Sequence, residues 1–158
     1  MMSENTDSGL RERHEEFAKS AFNLTWDLLD KKDRTEQDDA RMVHAAHASL
    51  FHWGEIGTPL HWLRGEWQIS RVYSVLGRPQ AAIRRAQTSL DLCEAHGIGD
   101  FDLTFAYEAL ARAHAVAGDA AKSQAYLKQA ELASEKIEDE GNREYVAGEL
   151  QTIAALLA

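Results

Sequence analysis

The chain has 158 residues, 44% hydrophobic and 27% charged, which suits one globular domain with a sizeable core and excludes a disordered polymer. A formal net charge of -9 works against nucleic acid and anionic membrane surfaces, because phosphate recognition needs cationic side chains. Cys93 is the only cysteine, so no internal disulfide forms; no run approaches the ~20 apolar residues of a membrane span, the polar start is unlike a secretory signal, and a cytoplasmic location is expected.

Residues 1–9 are expected to form a disordered tail and residues 10–158 a single domain. Phe17, Ala21, Leu24 and Leu28 recur at helical spacing and predict a first helix over 10–31. Thr35 with Asp38 predicts a capping box that opens a second helix, ending near Trp53 before Gly54 and Gly57. Thr58-Pro59 opens a third helix, which runs to Leu76 and stops at Gly77. Pro79 opens a fourth, which ends near His96 and Gly97. Residues 97–100 read as a turn in which glycine supplies a left-handed conformation. Asp100 or Asp102 is expected to cap helix five, which runs to Ala117. Gly118-Asp119 turns into helix six, which ends near Ile137, and helix seven covers 143–157. The prediction is all-α, with about seven antiparallel helices joined by short loops and the last one capping the row.

The segment 63–130 repeats at a spacing of 41 residues. Gly77 and Gly118 end equivalent helices. Ser70 and Ala111 precede those glycines by seven residues; Ala82 and Ser123 follow by five, Ser89 and Ala130 by twelve. A fixed period of this length is the mark of stacked helical hairpins, none able to bury its apolar face alone.

These positions resemble the tetratricopeptide repeat. Tyr107, Leu110, Ala111, His114, Gly118, Ser123, Leu127 and Ala130 fall on its signature, as do Glu66, Ile69, Ser70, Tyr73, Gly77, Ala82, Ala86 and Ser89 one unit earlier. Glu66 stands where an aromatic is usual, and a third unit over 21–47 matches only through Ala40. The resemblance implies a TPR-like right-handed helical-hairpin stack, and a protein-binding scaffold. The stretches 64–77 and 97–118 also resemble a group of bacterial single-domain proteins with no assigned activity.

Carried over by position, the resemblance puts Arg64, Trp67, Arg71, Phe105, Glu108 and Arg112 on the concave face, as the groove for a protein or peptide partner. Arg64, Trp67 and Arg71 also share one stripe by helical spacing. Two guanidiniums around an indole could clamp a carboxylate, or the arginines could pair with Glu66, Glu108 or Asp102 and merely solubilise the face. The Lys and Asn of a chaperone-tail clamp are absent, since Trp67 and Arg71 stand in their places.

Helix two carries His44, His47 and His52, and His61 follows. His44 and His47 lie about 60° apart on the helix. They read either as hydrogen-bonded interior histidines or, with Trp67 and a carboxylate such as Glu55, Glu66, Asp100 or Asp102, as a metal or small-ligand site with a capacity for catalysis. Trp53, Trp62 and Trp67 form a sequence-local aromatic group that reads as core or as a pocket wall. Cys93 with His96 could form a thiolate pair, but a lone helical cysteine more often packs as a small hydrophobe. No cofactor loop or catalytic constellation is read from the sequence, so a non-catalytic binding module is expected. The apolar run 153–158 raises the expectation of a homodimer.

Overall fold

A computed structural model describes residues 2–158, with side chains from residue 7 onward. Among the described residues the chain is all-helical: α1 (Met2–Asp30), α2 (Glu36–Ile56), α3 (Pro59–Val75), α4 (Pro79–His96), α5 (Asp100–Val116), α6 (Ala120–Ser134) and α7 (Glu140–Leu157).

The helix starts follow their capping chemistry. Asp38 N–H donates to Thr35 Oγ1 at 3.1 Å and Thr35 N–H donates to Asp38 Oδ2 at 3.0 Å, completing a reciprocal box. Pro59 and Pro79 occupy first-turn positions, where the missing N–H leaves no bond unmade.

Five boundaries differ from expectation, one of them the end of α6, at Ser134 rather than near Ile137. α1 begins at Met2, so the segment read as a disordered tail is helical from that residue; Met1 lies outside the described residues. No proline interrupts the segment, and extending an existing helix adds one hydrogen bond per residue without a new nucleus. α2 continues through Gly54 to Ile56. The Gly57 N–H donates to the Trp53 carbonyl at 2.6 Å, so the last turn closes beyond Gly54, whose glycine costs only about 1 kcal/mol in a helix. Neither Asp100 nor Asp102 caps α5: Gly99 is the N-cap, and both aspartates sit in the first turn, where the helix dipole favours negative charge. α7 starts at Glu140 because Asp139 Oδ1 accepts the Asn142 N–H at 2.7 Å.

Each helix packs on the next in sequence, and α1 on α3, α3 on α5, and α5 on α7. The helices form a row; α1 and α7 do not meet, as they would in a closed bundle. The two central hairpins are equivalent at the level of atoms. Gly77 and Gly118 both take left-handed backbone, φ 68° and 78°. Arg78 N–H donates to the Tyr73 carbonyl and Asp119 N–H to that of His114, at 2.8 and 3.0 Å, each closing the preceding helix in the same way. Between the helices, Ser70 Oγ donates to the Ala82 carbonyl and Ser123 Oγ to that of Ala111, both at 2.8 Å. The serine stands on opposite helices of the two hairpins, yet it bridges the same pair of positions.

The core follows the row. Leu28, Met42, Ala46, Ile69 and Val72 pack at one end, Leu63, Ala86, Leu90, Cys93, Ala106 and Leu110 in the middle, and Phe105, Ala130, Val146, Leu150 and Ile153 at the other. A Cβ on Gly65 would lie 2.7 Å from Leu50 Cδ1, so α2 and α3 approach where α3 has no side chain. In the apolar run at the end of the chain, Ile153 is fully buried while Leu156 is half exposed, so only part of that run is open to a second copy. Among the described residues no helix is long and apolar enough to cross a membrane.

Candidate binding groove

The four odd-numbered helices bring a row of aromatic rings together. Trp26 of α1 lies 5.3 Å from Trp67 of α3, Trp67 lies 5.2 Å from Phe105 of α5, and Phe105 lies 4.6 Å from Phe101 and 5.8 Å from Tyr145 of α7 (centroid distances). The edge-on and tilted angles are those that ring quadrupoles prefer. These rings, with Phe22, Leu63, Arg64 and Asp102, line a cleft of about 360 Å³. Phe22 and Arg64 also line an adjoining chamber of about 230 Å³, completed by Lys19, Asn23, Trp53 and His61. Both chambers lie near or within the size range of small-ligand and side-chain pockets.

Of the six residues expected in the groove, Arg64, Trp67 and Phe105 line this cleft. Arg71, Glu108 and Arg112 do not; they form an ion network with Glu149 of α7. Arg71 Nη2 donates to Glu149 Oε2 at 2.6 Å and to Glu108 Oε1 at 3.2 Å. Arg112 Nε donates to Glu108 Oε1 at 2.8 Å, and its Nη2 donates to Thr152 Oγ1 at 2.7 Å. Glu108 is fully buried, and the side chains of Arg71 and Arg112 are 15% and 10% exposed. Burial opposes the Arg71 charge, but Glu108 and Glu149 outweigh it and push its pKa up. α7 supplies Glu149, so the cap helix takes up the charge expected to face a ligand.

Arg64 is bonded as well. Its Nε and Nη2 donate to the two carboxylate oxygens of Asp102 at 2.8 and 3.0 Å, and this pair raises the Arg64 pKa. Of the two readings of these arginines, the structure bears out the paired one: Arg64 engages Asp102 and Arg71 engages Glu108, so the clamp of two free guanidiniums around Trp67 is not formed. Trp67 Nε1, Arg71 Nε and Glu108 Oε2 remain buried without partners.

The histidines disperse. His47 Nε2 meets Tyr73 Oη at 2.8 Å, and burial pushes the His47 pKa down. His44 is exposed, not interior as its repeat position implied. Trp67 is six residues from Tyr73 on α3, hence about 120° around the helix, so the structure does not join Trp67 to the His44–His47 pair. His52 Nδ1 lies 2.8 Å from His14 Nδ1, one donating and one accepting. His61 stacks on Trp53 at 4.0 Å. Among the described residues no three His, Cys, Asp or Glu side chains converge as metal ligands.

The local tryptophan group also divides. Trp62 Nε1 donates to the Trp53 carbonyl at 3.1 Å, while Trp67 faces α1 and α5. Cys93 is buried in the central core, which pushes its thiol up to about 11 and leaves it inert, and His96 is exposed. Ser49 Oγ donates to the Ala18 carbonyl at 2.8 Å, a structural bond between α1 and α2.

The sequence reading missed Phe22, Trp26, Phe101 and Tyr145. A signal for two of them was present: Trp26 precedes Trp67, and Phe22 precedes Leu63, by the same 41 residues. The third unit over 21–47 rests on its small residues alone; matching its aromatic positions as well would have placed helix one in the groove. The chain matches no family model, no curated protein and no solved structure.

Proposed function

We propose that this chain is a non-catalytic, TPR-like helical-repeat module that binds a protein or peptide partner in the groove across α1, α3, α5 and α7. The observation that carries the reading is the aromatic row, in which Trp26, Trp67, Phe101, Phe105 and Tyr145 from four successive odd-numbered helices line one cleft of about 360 Å³. Clustered aromatic side chains on a rigid scaffold are the usual anchor sites for a partner, because they bury large area at small entropic cost. The matched turn and serine bonds of the two central hairpins support the hairpin-stack arrangement.

A display selection tests this. Random dodecapeptides are selected on the immobilised protein, and the enriched sequences are titrated against wild type, Trp67→Ala and Phe101→Ala. The expected result is enrichment of aromatic-containing peptides whose affinity falls at least about tenfold in both variants, the scale of a hot-spot truncation. No enrichment, or peptides that bind the variants equally well, would overturn the reading.

A further inference from the structure

Resting on that reading of the groove, the geometry points to an aryl-bearing carboxylate as the occupant. We infer that the acid group sits in the smaller chamber, between Lys19, Asn23, His61 and Arg64, and that the ring sits among the aromatic side chains of the larger one.

The smaller chamber is chemically unlike the rest of the molecule. The protein carries a net charge of -9, yet no carboxylate lines this chamber. Its polar wall consists of donors. His61 Nδ1 accepts the Thr58 N–H at 3.2 Å, so the neutral ring carries its hydrogen on Nε2 and donates from there. Burial pushes the His61 pKa down and keeps that form at neutral pH. Arg64 uses Nε and Nη2 on Asp102, which leaves Nη1 without a partner among the described residues. Lys19 holds Glu15 at 2.5 Å, but that pair is 60% and 50% exposed, of the kind that contributes little and exchanges readily. Asn23 is exposed and adds an amide.

The two chambers share Phe22 and Arg64, so one molecule can occupy both. The aromatic wall supplies stacking for a ring. A cation would also find π-faces there, but the one carboxylate in that lining, Asp102, is already engaged by Arg64. Charge-assisted bonds from Arg and Lys to a carboxylate are about twice as strong as neutral ones. An acid and its amide therefore differ where an apolar ligand and its analogue would not. Two sources carry this chemistry: the C-terminal residue of a peptide, and a free arylcarboxylate.

The test is isothermal titration and tryptophan emission with four probes: N-acetylphenylalanine, its primary amide, and a Gly/Ser octapeptide ending in phenylalanine with a free or an amidated terminus. The expected result is binding of the free acids at least about tenfold tighter than their amides. Lys19→Met, an exposed site whose change leaves the fold intact, should lower the acid-to-amide affinity ratio severalfold, and so should Arg64→Met made together with Asp102→Asn, which leaves no unpaired carboxylate in the cleft. Tighter binding of the peptide acid than of the N-acetyl acid identifies a chain terminus as the occupant; equal binding identifies a free acid. Amides that bind as well as acids overturn the carboxylate assignment and leave the groove reading in place. Silence from all four probes up to millimolar concentration also overturns it, and the groove itself then stands or falls on the display selection.

Discussion

Glu108→Ala should loosen the far end of the row. Glu108 is fully buried, and its Oε1 accepts from both Arg71 and Arg112. Removing it leaves two guanidiniums, with side chains 15% and 10% exposed, to share Glu149, which lies 2.6 Å from Arg71 and 3.5 Å from Arg112. Breaking a buried pair from one side costs about 3–5 kcal/mol, mostly as uncompensated buried charge. Glu149 retains part of the pairing, so the lower end, about 3 kcal/mol, is expected. At roughly 2–4 °C per kcal/mol for a domain of this size, the melting temperature falls by about 6–12 °C. Urea unfolding followed by circular dichroism measures the loss, and amide exchange locates it. α7 is held through Glu149 and Thr152, so its amides should lose protection before those of α3 and α4. A loss below about 1 kcal/mol, or protection lost uniformly along the chain, would refute the claim that this network holds the cap.

Ser70→Ala and Ser123→Ala should destabilise equally, by about 1 kcal/mol each, as expected of one buried hydrogen bond at equivalent positions; unequal denaturation midpoints would count against hairpin equivalence. Gly65→Ala should cost about 1–3 kcal/mol because its Cβ meets Leu50 Cδ1 at 2.7 Å, whereas Gly148→Ala, with open space around it inside α7, should stabilise by about 0.5–1 kcal/mol in the same urea assay. Burial pushes the pKa values of His47, His52, His61 and His114 below the ordinary 6.5. Below that value the unfolded chain binds more protons than the folded one. Their contribution is therefore fully present above pH 6.5 and is lost as pH falls through the depressed folded values. The melting temperature should drop on going from pH 7 to pH 5, and less steeply in His47→Gln. Burial raises the Glu66 pKa against the pull of Arg85. That contribution runs the other way, being present below pH 4.5 and lost as pH rises, so Glu66→Gln serves as the control that separates the two.

The groove was half legible in the sequence for a definite reason. Trp67 and Phe105 were found because helical spacing and the repeat place them on one face. Arg71 and Arg112 were placed on the same face by the same logic, but face does not determine exposure. Their partner Glu149 lies 78 residues from Arg71 along the chain, and no local pattern encodes that pairing. Trp26 stayed hidden because helix one lacks the small residue and glycine that mark the other units, although its tryptophan keeps the period. The histidines of α2 looked like a cluster because they share a helix, but the structure sends His47 to Tyr73, His52 to His14 and His44 to solvent.

From the sequence alone came the number of helices, the starts of α2, α3 and α4, and the 41-residue equivalence. Capping hydroxyls, first-turn prolines and left-handed glycines act through backbone within a few residues of themselves, so their effect can be read in place. Tertiary structure alone decided which polar residues of the odd-numbered helices α7 covers, that Glu149 joins Glu108 and Asp102 in engaging the arginines, and that aromatic rings from four helices share one cleft. Those outcomes depend on side chains brought together from distant parts of the chain, where desolvation and charge pairing are settled by geometry rather than by spacing.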